Sequence, residues 1–338
     1  MTHTNAIWST TLRGVALGDA WGNPNEFRRI ESLTRDDPRG PELPTALEVT
    51  DDTQMTLYLA QALNATAGED TATVQAAVIE NYITYRNDPD FGSRAPGITV
   101  TGSIDRLERG LPWQNATDNY SDGCGTVMRV SPAAFVAGSD WVGIAAFSAA
   151  VTHGTANGIA SAILNAALLR KAIDQGAVLA GSMTNQALML CWEAKENGLL
   201  DTGDWLDGLD VDLTEGFATL ATGLVCTRDA LMGGYADNPW RADPCLYGGE
   251  GWRAHECLTT ALLAVDAFPD NPWEALRRAV TTNGDSDSIG AVAGGLLGAL
   301  HGEFWPDGAL DGIEPRYLAE IATADTYLFT PQPKGVPA

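Results

Sequence analysis

The sequence predicts an all-α protein, and three features carry that reading. Apolar residues recur at steps of three and four in several stretches, period-2 alternation is hard to find anywhere, and one glycine-striped segment has the composition of a central, buried helix. Trp8, Leu12 and Val15 share a face near the start, and Val74, Val78, Tyr82 and Tyr85 do so after Thr71. Leu213, Phe217, Leu220 and Leu224 step by 4, 3 and 4, and Leu258, Leu262 and Val265 by 4 and 3. At ordinary helix lengths the chain holds about a dozen helices. The segments between them are rich in Gly, Pro, Asp and Asn, the main ones being 28–48, 86–97, 110–125, 197–212 and 233–251. None is a flexible Gly/Ser linker and no block repeats. One domain over residues 1–330 is expected, with 331–338 (PQPKGVPA) as a fraying tail.

The glycine stripe follows Asp287: Gly290, Gly294, Gly298 and Gly302 stand at four-residue spacing. A glycine inside a helix costs about 1 kcal/mol relative to alanine. A stripe of them makes physical sense where a second helix backbone comes close, and tight packing alone would account for it. The helix would then lie in the centre of a bundle, with Asp285 and Asp287 held at its N-terminal end by a rigid element.

With 338 residues, 45% of them hydrophobic, and ten Trp, the chain can bury a substantial core. Its net charge of -24, from 44 acids against 20 bases, repels nucleic-acid backbones and anionic lipids, so neither general nucleic-acid binding nor membrane association is expected. The same field would repel a nucleotide unless cations sit at the site. Five cysteines form no CxxC pair and the four histidines have no zinc-type spacing, so a reducing, cytoplasmic setting is expected. The N-terminal residues lack an apolar signal region, and the longest apolar stretch, Ile289 to Leu300, is too short to span a bilayer. A monomer is expected.

Two acidic clusters share a grammar. Thr50-Asp51-Asp52-Thr53 runs into the helical stretch Gln54–Leu63, and Asp285-Ser286-Asp287-Ser288 runs into Ile289–Leu300. Either cluster alone suits an N-cap, where hydroxyls and carboxylates accept from free backbone N–H groups and oppose the helix dipole. A cap needs one such residue, however, and each cluster supplies four. If the clusters meet in space, like charges crowd together and require a cation or a proton. An all-oxygen donor set suits Mg²⁺ or Mn²⁺ rather than zinc, and two ions sharing carboxylates would be a natural solution.

The segments GVALGDAWGNPNEF (14–27), TDDTQMTL (50–57), GCGTVMRVSP (123–132), THG (152–154), GGEGWRAHE (248–256) and NGDSDSIGAVAGGLLGALHG (283–302) together resemble the ADP-ribosylglycohydrolase family. They run in order over nearly the whole chain. The resemblance implies a compact orthogonal helical bundle around a binuclear Mg²⁺ or Mn²⁺ site. It implies metal ligation by Thr50, Asp51, Asp52, Asp285, Asp287 and Ser288, with Asp287 as the bridge and with Asp52 and Asp287 counted among the catalytic residues beside Glu26. It places the turn Gly123, Cys124, Gly125 and Thr126 against ADP-ribose, His153 in contact with the ligand, and Trp252 near the adenosine. A hydrogen-bonded core histidine and a core tryptophan are the competing readings of the last two. Cys124 stands where many members have asparagine, and Asn283 where many have glycine, a change that Asn tolerates through its access to left-handed conformations.

The activity implied is metal-dependent release of ADP-ribose from an ADP-ribosylated protein or a small conjugate, with arginine as the expected acceptor. The alternatives are a binuclear-metal phosphohydrolase acting on the pyrophosphate, a non-catalytic ADP-ribose binder, and an immunity protein that occupies a toxin's active site.

Overall fold

The computed structural model describes residues 3–138, 140–327 and 329. The tail expected at 331–338 lies outside them. The chain is all-α, and the only β-pairing among the described residues is three isolated bridges. In order, the helices are α1 (His3–Gly22), α2 (Ile30–Leu33), α3 (Asp51–Ala65), α4 (Thr71–Arg86) and α5 (Ile98–Glu108). Then come α6 (Trp113–Ala116), α7 (Trp141–Ala150), α8 (Ala156–Gln175), α9 (Met183–Trp192) and α10 (Leu213–Met232). The last are α11 (Cys245–Gly248), α12 (Ala254–Ala267), α13 (Pro272–Ala279), α14 (Ser286–His301) and α15 (Pro315–Ala324). Twelve have eight residues or more, and the single turns α2, α6 and α11 lie inside segments read as loops.

The apolar stretches with helical spacing fall on α1, α4, α10 and α12, and every residue they mark is buried. One large apolar cluster runs from Trp8 to Phe329, with a small satellite of Tyr235, Leu263 and Ala267. No helix among the described residues is long and apolar enough to cross a membrane.

The centre of the bundle is α14, buried from Ser286 to Leu300. Its partner is α1, which carries a matching stripe of Gly14, Gly18 and Gly22. A Cβ on Gly14 would stand 2.1 Å from the Gly294 carbonyl oxygen, and one on Gly22 would stand 2.3 Å from that of Ser286. One on Gly298 would stand 2.2 Å from the Thr10 carbonyl oxygen. The two helices therefore run antiparallel in backbone contact, and the end of α1 lies beside the start of α14. Gly302 does not take part: it ends α14 with a left-handed φ of +73° and no neighbour at its Cβ position.

Candidate active site

Capping accounts for one residue in each acidic cluster. The Thr50 hydroxyl accepts from the Asp52 N–H at the start of α3, and the Asp285 carboxylate accepts from the Ser288 N–H at 3.3 Å at the start of α14. The carboxylates, Asp285 included, also converge. One oxygen each of Asp19, Asp52 and Asp287 lie within 4.8 Å of one another, and so do oxygens of Glu26, Asp285 and Asp287. Asp287 belongs to both triads.

Glu26 reaches this point because α1 breaks there. Pro24 opens a 3-10 turn, Asn23–Asn25, and Glu26 follows it with extended backbone. The Asn25 side chain donates to Trp21 O at 3.2 Å and to Val280 O at 2.8 Å, tying the turn to the bundle.

Asp19 is a candidate site residue that the sequence reading missed. Its fully buried carboxylate accepts from the Thr50 N–H at 3.0 Å, the Thr50 hydroxyl at 2.8 Å, the Thr53 N–H at 3.1 Å and the Thr53 hydroxyl. It anchors the start of α3 to α1. The available signal was an acid inside the apolar run GVALGDAWG, where a buried charge must find partners.

Six carboxylates thus share one region, and no Lys or Arg pairs with any of them among the described residues. Burial, followed by repulsion from Asp287, pushes Asp19 up to about 7 and Glu26 up to about 8. The same causes hold Asp51, Asp52 and Asp285 well above the ordinary carboxylate range. Burial raises Asp287 as well. Asp52 Oδ1 is buried without a hydrogen-bond partner. An orphaned carboxylate oxygen among crowded acids is the environment a hard cation satisfies, and every donor present is oxygen.

These side chains open on a cavity of about 450 Å³ lined by Glu26, Asp51, Asp52, Asp285, Asp287 and Ser288. A cavity of similar size bordered by Tyr58 and Tyr327 holds no such cluster. Thr50 stands behind the lining, its hydroxyl spent on Asp19. Gly123, Cys124 and Gly125 form one wall. Thr126 is buried outside it, donating to Gly123 O at 3.4 Å.

The Gly-Trp segment stitches the walls together. Cys124 N–H donates to Trp252 O at 3.0 Å, Ala254 N–H to Asp122 O at 2.8 Å, and Asp285 N–H to Glu250 O at 2.8 Å. Gly284 permits this last contact, since a Cβ there would lie 1.7 Å from Glu250 O. The Cys124 thiol, in place of the family's amide, donates to Asp285 Oδ2 at 2.9 Å. Asn283 makes no use of its tolerance for left-handed backbone. It instead accepts from the Ile30 N–H at 2.7 Å and so holds the segment after Glu26.

His153 lines the cavity, with Nδ1 2.9 Å from the Thr152 hydroxyl. Burial, and then the nearby Arg129 charge, depress it to about 3, so it is neutral. Trp252 is not a core residue. It is 37% exposed at the cavity edge, its ring stacked on Phe27 at 5.3 Å and 18°. Phe27, a lining residue to which the sequence reading gave no role, is 76% exposed and adopts a left-handed φ of 60°.

Fold and site together define an all-helical scaffold that gathers a buried, oxygen-rich cluster of carboxylates able to hold a cation. A family model described as ADP-ribosylglycohydrolase matches residues 10–331. The chain is 26% identical to the ADP-ribosylarginine hydrolase Tri1 of Pseudomonas putida, over 92% of this chain and 73% of that protein. It is 28% identical to the human ADP-ribosylhydrolase ARH3, over 86% and 84%. A solved structure titled ADP-ribosylglycohydrolase-related protein complex superimposes with a TM-score of 0.60 at 23% identity, covering 97% and 99%, and shows the same fold. The chain belongs to the ADP-ribosylglycohydrolase family and is a glycosidic-bond hydrolase.

Proposed function

We propose that this enzyme releases ADP-ribose from an ADP-ribosylated acceptor, with arginine on a protein as the preferred acceptor, and that it works with two Mg²⁺ or Mn²⁺ ions. The observation that carries this reading is the pair of oxygen triads sharing Asp287. Asp52, with Asp19 behind it, would hold one ion and Asp285 the other, with Asp287 between them. Asp51 and Ser288 would complete the donor set from the cavity lining, and Thr50 would join it only by turning its hydroxyl from Asp19. Bound there, divalent cations polarise ribose hydroxyls and water and offset the acidic field that otherwise repels a diphosphate.

The protein's own work is positioning and proton transfer. Water adds at the anomeric carbon through an oxocarbenium-like transition state, and the bond to the acceptor breaks. Glu26, at the cavity edge of the cluster, is the proton carrier for the water or the departing acceptor. Trp252, backed by Phe27, offers an indole face to a planar group, adenine or guanidinium. Gly123, Cys124 and Gly125 let backbone approach the sugar and phosphates, while Thr126 supports that turn from behind. Arginine is favoured over neutral acceptors because an acid-lined mouth with stacked aromatic rings suits a planar cation, and Tri1 is by its name an arginine-type hydrolase. A monomeric, single-domain protein of the cytoplasm is the matching setting, all five cysteines being free thiols.

The test is incubation with an ADP-ribosyl-arginine protein and Mg²⁺ or Mn²⁺, with products identified by mass spectrometry. Free ADP-ribose and unmodified arginine are expected. AMP with ribose 5-phosphate would establish pyrophosphate cleavage instead, and no product from any acceptor would establish a binding protein.

A further inference from the structure

Arg129 is a buried cation without a counter-charge among the described residues. It is 0% exposed, and every partner of its guanidinium is neutral. Nη1 donates to Gly125 O in the Gly-Cys-Gly-Thr turn, and Nη2 donates to Ser148 O at 2.5 Å and to the Thr152 hydroxyl at 2.6 Å. The guanidinium lies over the Tyr82 ring at 5.0 Å, and Nε has no partner. Burying an unpaired charge costs several kcal/mol, and an apolar side chain of similar volume would serve the core better. Its contacts explain its presence, because they end on the cavity.

The Thr152 hydroxyl accepts from Arg129 and has one proton to give. Two acceptors are within reach. Ala149 O stands at 3.3 Å and already accepts the Thr152 and His153 N–H groups at 3.1 and 2.9 Å. His153 Nδ1 stands at 2.9 Å and has no other partner among the described residues. If the nearer, unoccupied acceptor takes the proton, the ring's own proton stays on Nε2. That edge of the ring faces the glycines: Nε2 would lie 3.2 Å from a Cβ on Gly123, and Cε1 3.2 Å from one on Gly125.

We infer that Arg129 is a positioning residue: through Thr152 it fixes His153 as the Nε2–H tautomer, and through Gly125 it holds the Gly-Cys-Gly-Thr turn beside that donor. His153 then presents a neutral N–H to the cavity, suited to a phosphate or ribose oxygen of the ligand. The part of the inference that concerns ADP-ribose rests on the hydrolase reading above. Burial and the Arg129 charge keep the imidazole uncharged, so the tautomer rather than the protonation state decides whether it donates.

The test reads the imidazole nitrogens of the full-length protein by long-range ¹H–¹⁵N NMR, with His153→Gln assigning the signal. It also measures ADP-ribose binding by calorimetry in Mg²⁺. Wild type should show Nε2 protonated. Thr152→Val should move His153 toward the other tautomer and weaken ADP-ribose about tenfold, the loss expected for one hydrogen bond to a charged ligand, while Mg²⁺ binding persists. Thr152→Ser should restore both, which a packing defect would not. Arg129→Lys, which keeps charge but not three-way reach, should resemble Thr152→Val. An Nδ1–H tautomer in wild type, or unchanged tautomer and affinity in folded Thr152→Val, overturns the inference. The tautomer is read without ligand, so it decides the relay even if wild type binds no ADP-ribose, an outcome that would sink the hydrolase reading instead.

Discussion

Gly18 of α1 and Gly290 of α14 meet backbone to backbone: a Cβ on Gly18 would lie 1.9 Å from the Gly290 carbonyl oxygen. Asp19 is the next residue along α1, and Asp287 lies one helical turn before Gly290 along α14. The contact between two residues with no side chains therefore sets the separation of the carboxylates that form the site.

Gly18→Ala should force the two helices apart. Overpacking of this kind destabilises by about 1–3 kcal/mol, and the shift should also weaken divalent-cation binding. Denaturant midpoints and Mn²⁺ titrations measure the two effects. Gly92→Ala is the control, since nothing lies within 4 Å of its Cβ position. Equal behaviour of the two variants would refute the role of the helix contact.

Metal-free protein should lose stability as pH rises. Asp19 and Glu26 are held up to about 7 and about 8 in the folded state, and remote Asp266 up to about 6. Their unfolded counterparts ionise near pH 4. Between those limits the folded state binds more protons, so each group stabilises the fold at low pH and that contribution declines as pH rises from about 4 to about 8. The depressed His153 acts in the opposite sense up to its unfolded value of about 6.5. The melting temperature in chelator should therefore fall most clearly between about pH 6.5 and about pH 8, and Mg²⁺ should flatten that fall by replacing the protons. A melting temperature that climbs with pH over that range in chelator contradicts the crowded-acid picture.

Glu26→Gln should keep metal and fold yet lose about 10²–10⁴-fold in turnover, the usual range for one general acid or base. Asp52→Ala should also lose activity, but by losing metal, so excess Mg²⁺ or Mn²⁺ should partly rescue it and leave Glu26→Gln unrescued. Release of ADP-ribose across a metal titration separates the two. Near-normal turnover by Glu26→Gln would move proton transfer to another carboxylate.

Asp287→Ala should reduce occupancy of both ions, because Asp287 is common to the two triads. Elemental analysis of purified protein measures this. Loss of one ion only would show that Asp287 does not bridge.

Trp252→Ala should weaken ADP-ribose by about 1–3 kcal/mol if the indole stacks on adenine. Because the ring is partly exposed, the melting temperature should change little. A large drop in stability with unchanged affinity would return Trp252 to a packing role.

Much of this was legible in the residues. Periodicity located the main helices because burial of one face imposes a 3.6-residue spacing that no other structure shares. The four-residue glycine spacing announced a close helix contact, since glycine is penalised in helices that do not need it. Asp51, Asp52, Asp285 and Asp287 were recognisable because each cluster carried more carboxylate than a cap can use. Glu26 was singled out by the family resemblance of the segment GVALGDAWGNPNEF.

Other features depended on partners distant in the chain. Nothing in Gly14, Gly18 and Gly22 identified α14 as their partner, and Asp19 read as an isolated acid until Thr50 and Thr53 were placed around it. Trp252 could be core or cleft until Phe27 was found stacked on it. Helix identity, capping and the supply of carboxylates follow from local physics, which acts over a few residues and is written in the sequence alone. The convergence of Asp19, Glu26, Asp52 and Asp287, and the line from Arg129 through Thr152 to His153, were decided only by the tertiary structure. Electrostatic and hydrogen-bond energies depend on separation in space, and packing brings together residues that the chain keeps far apart.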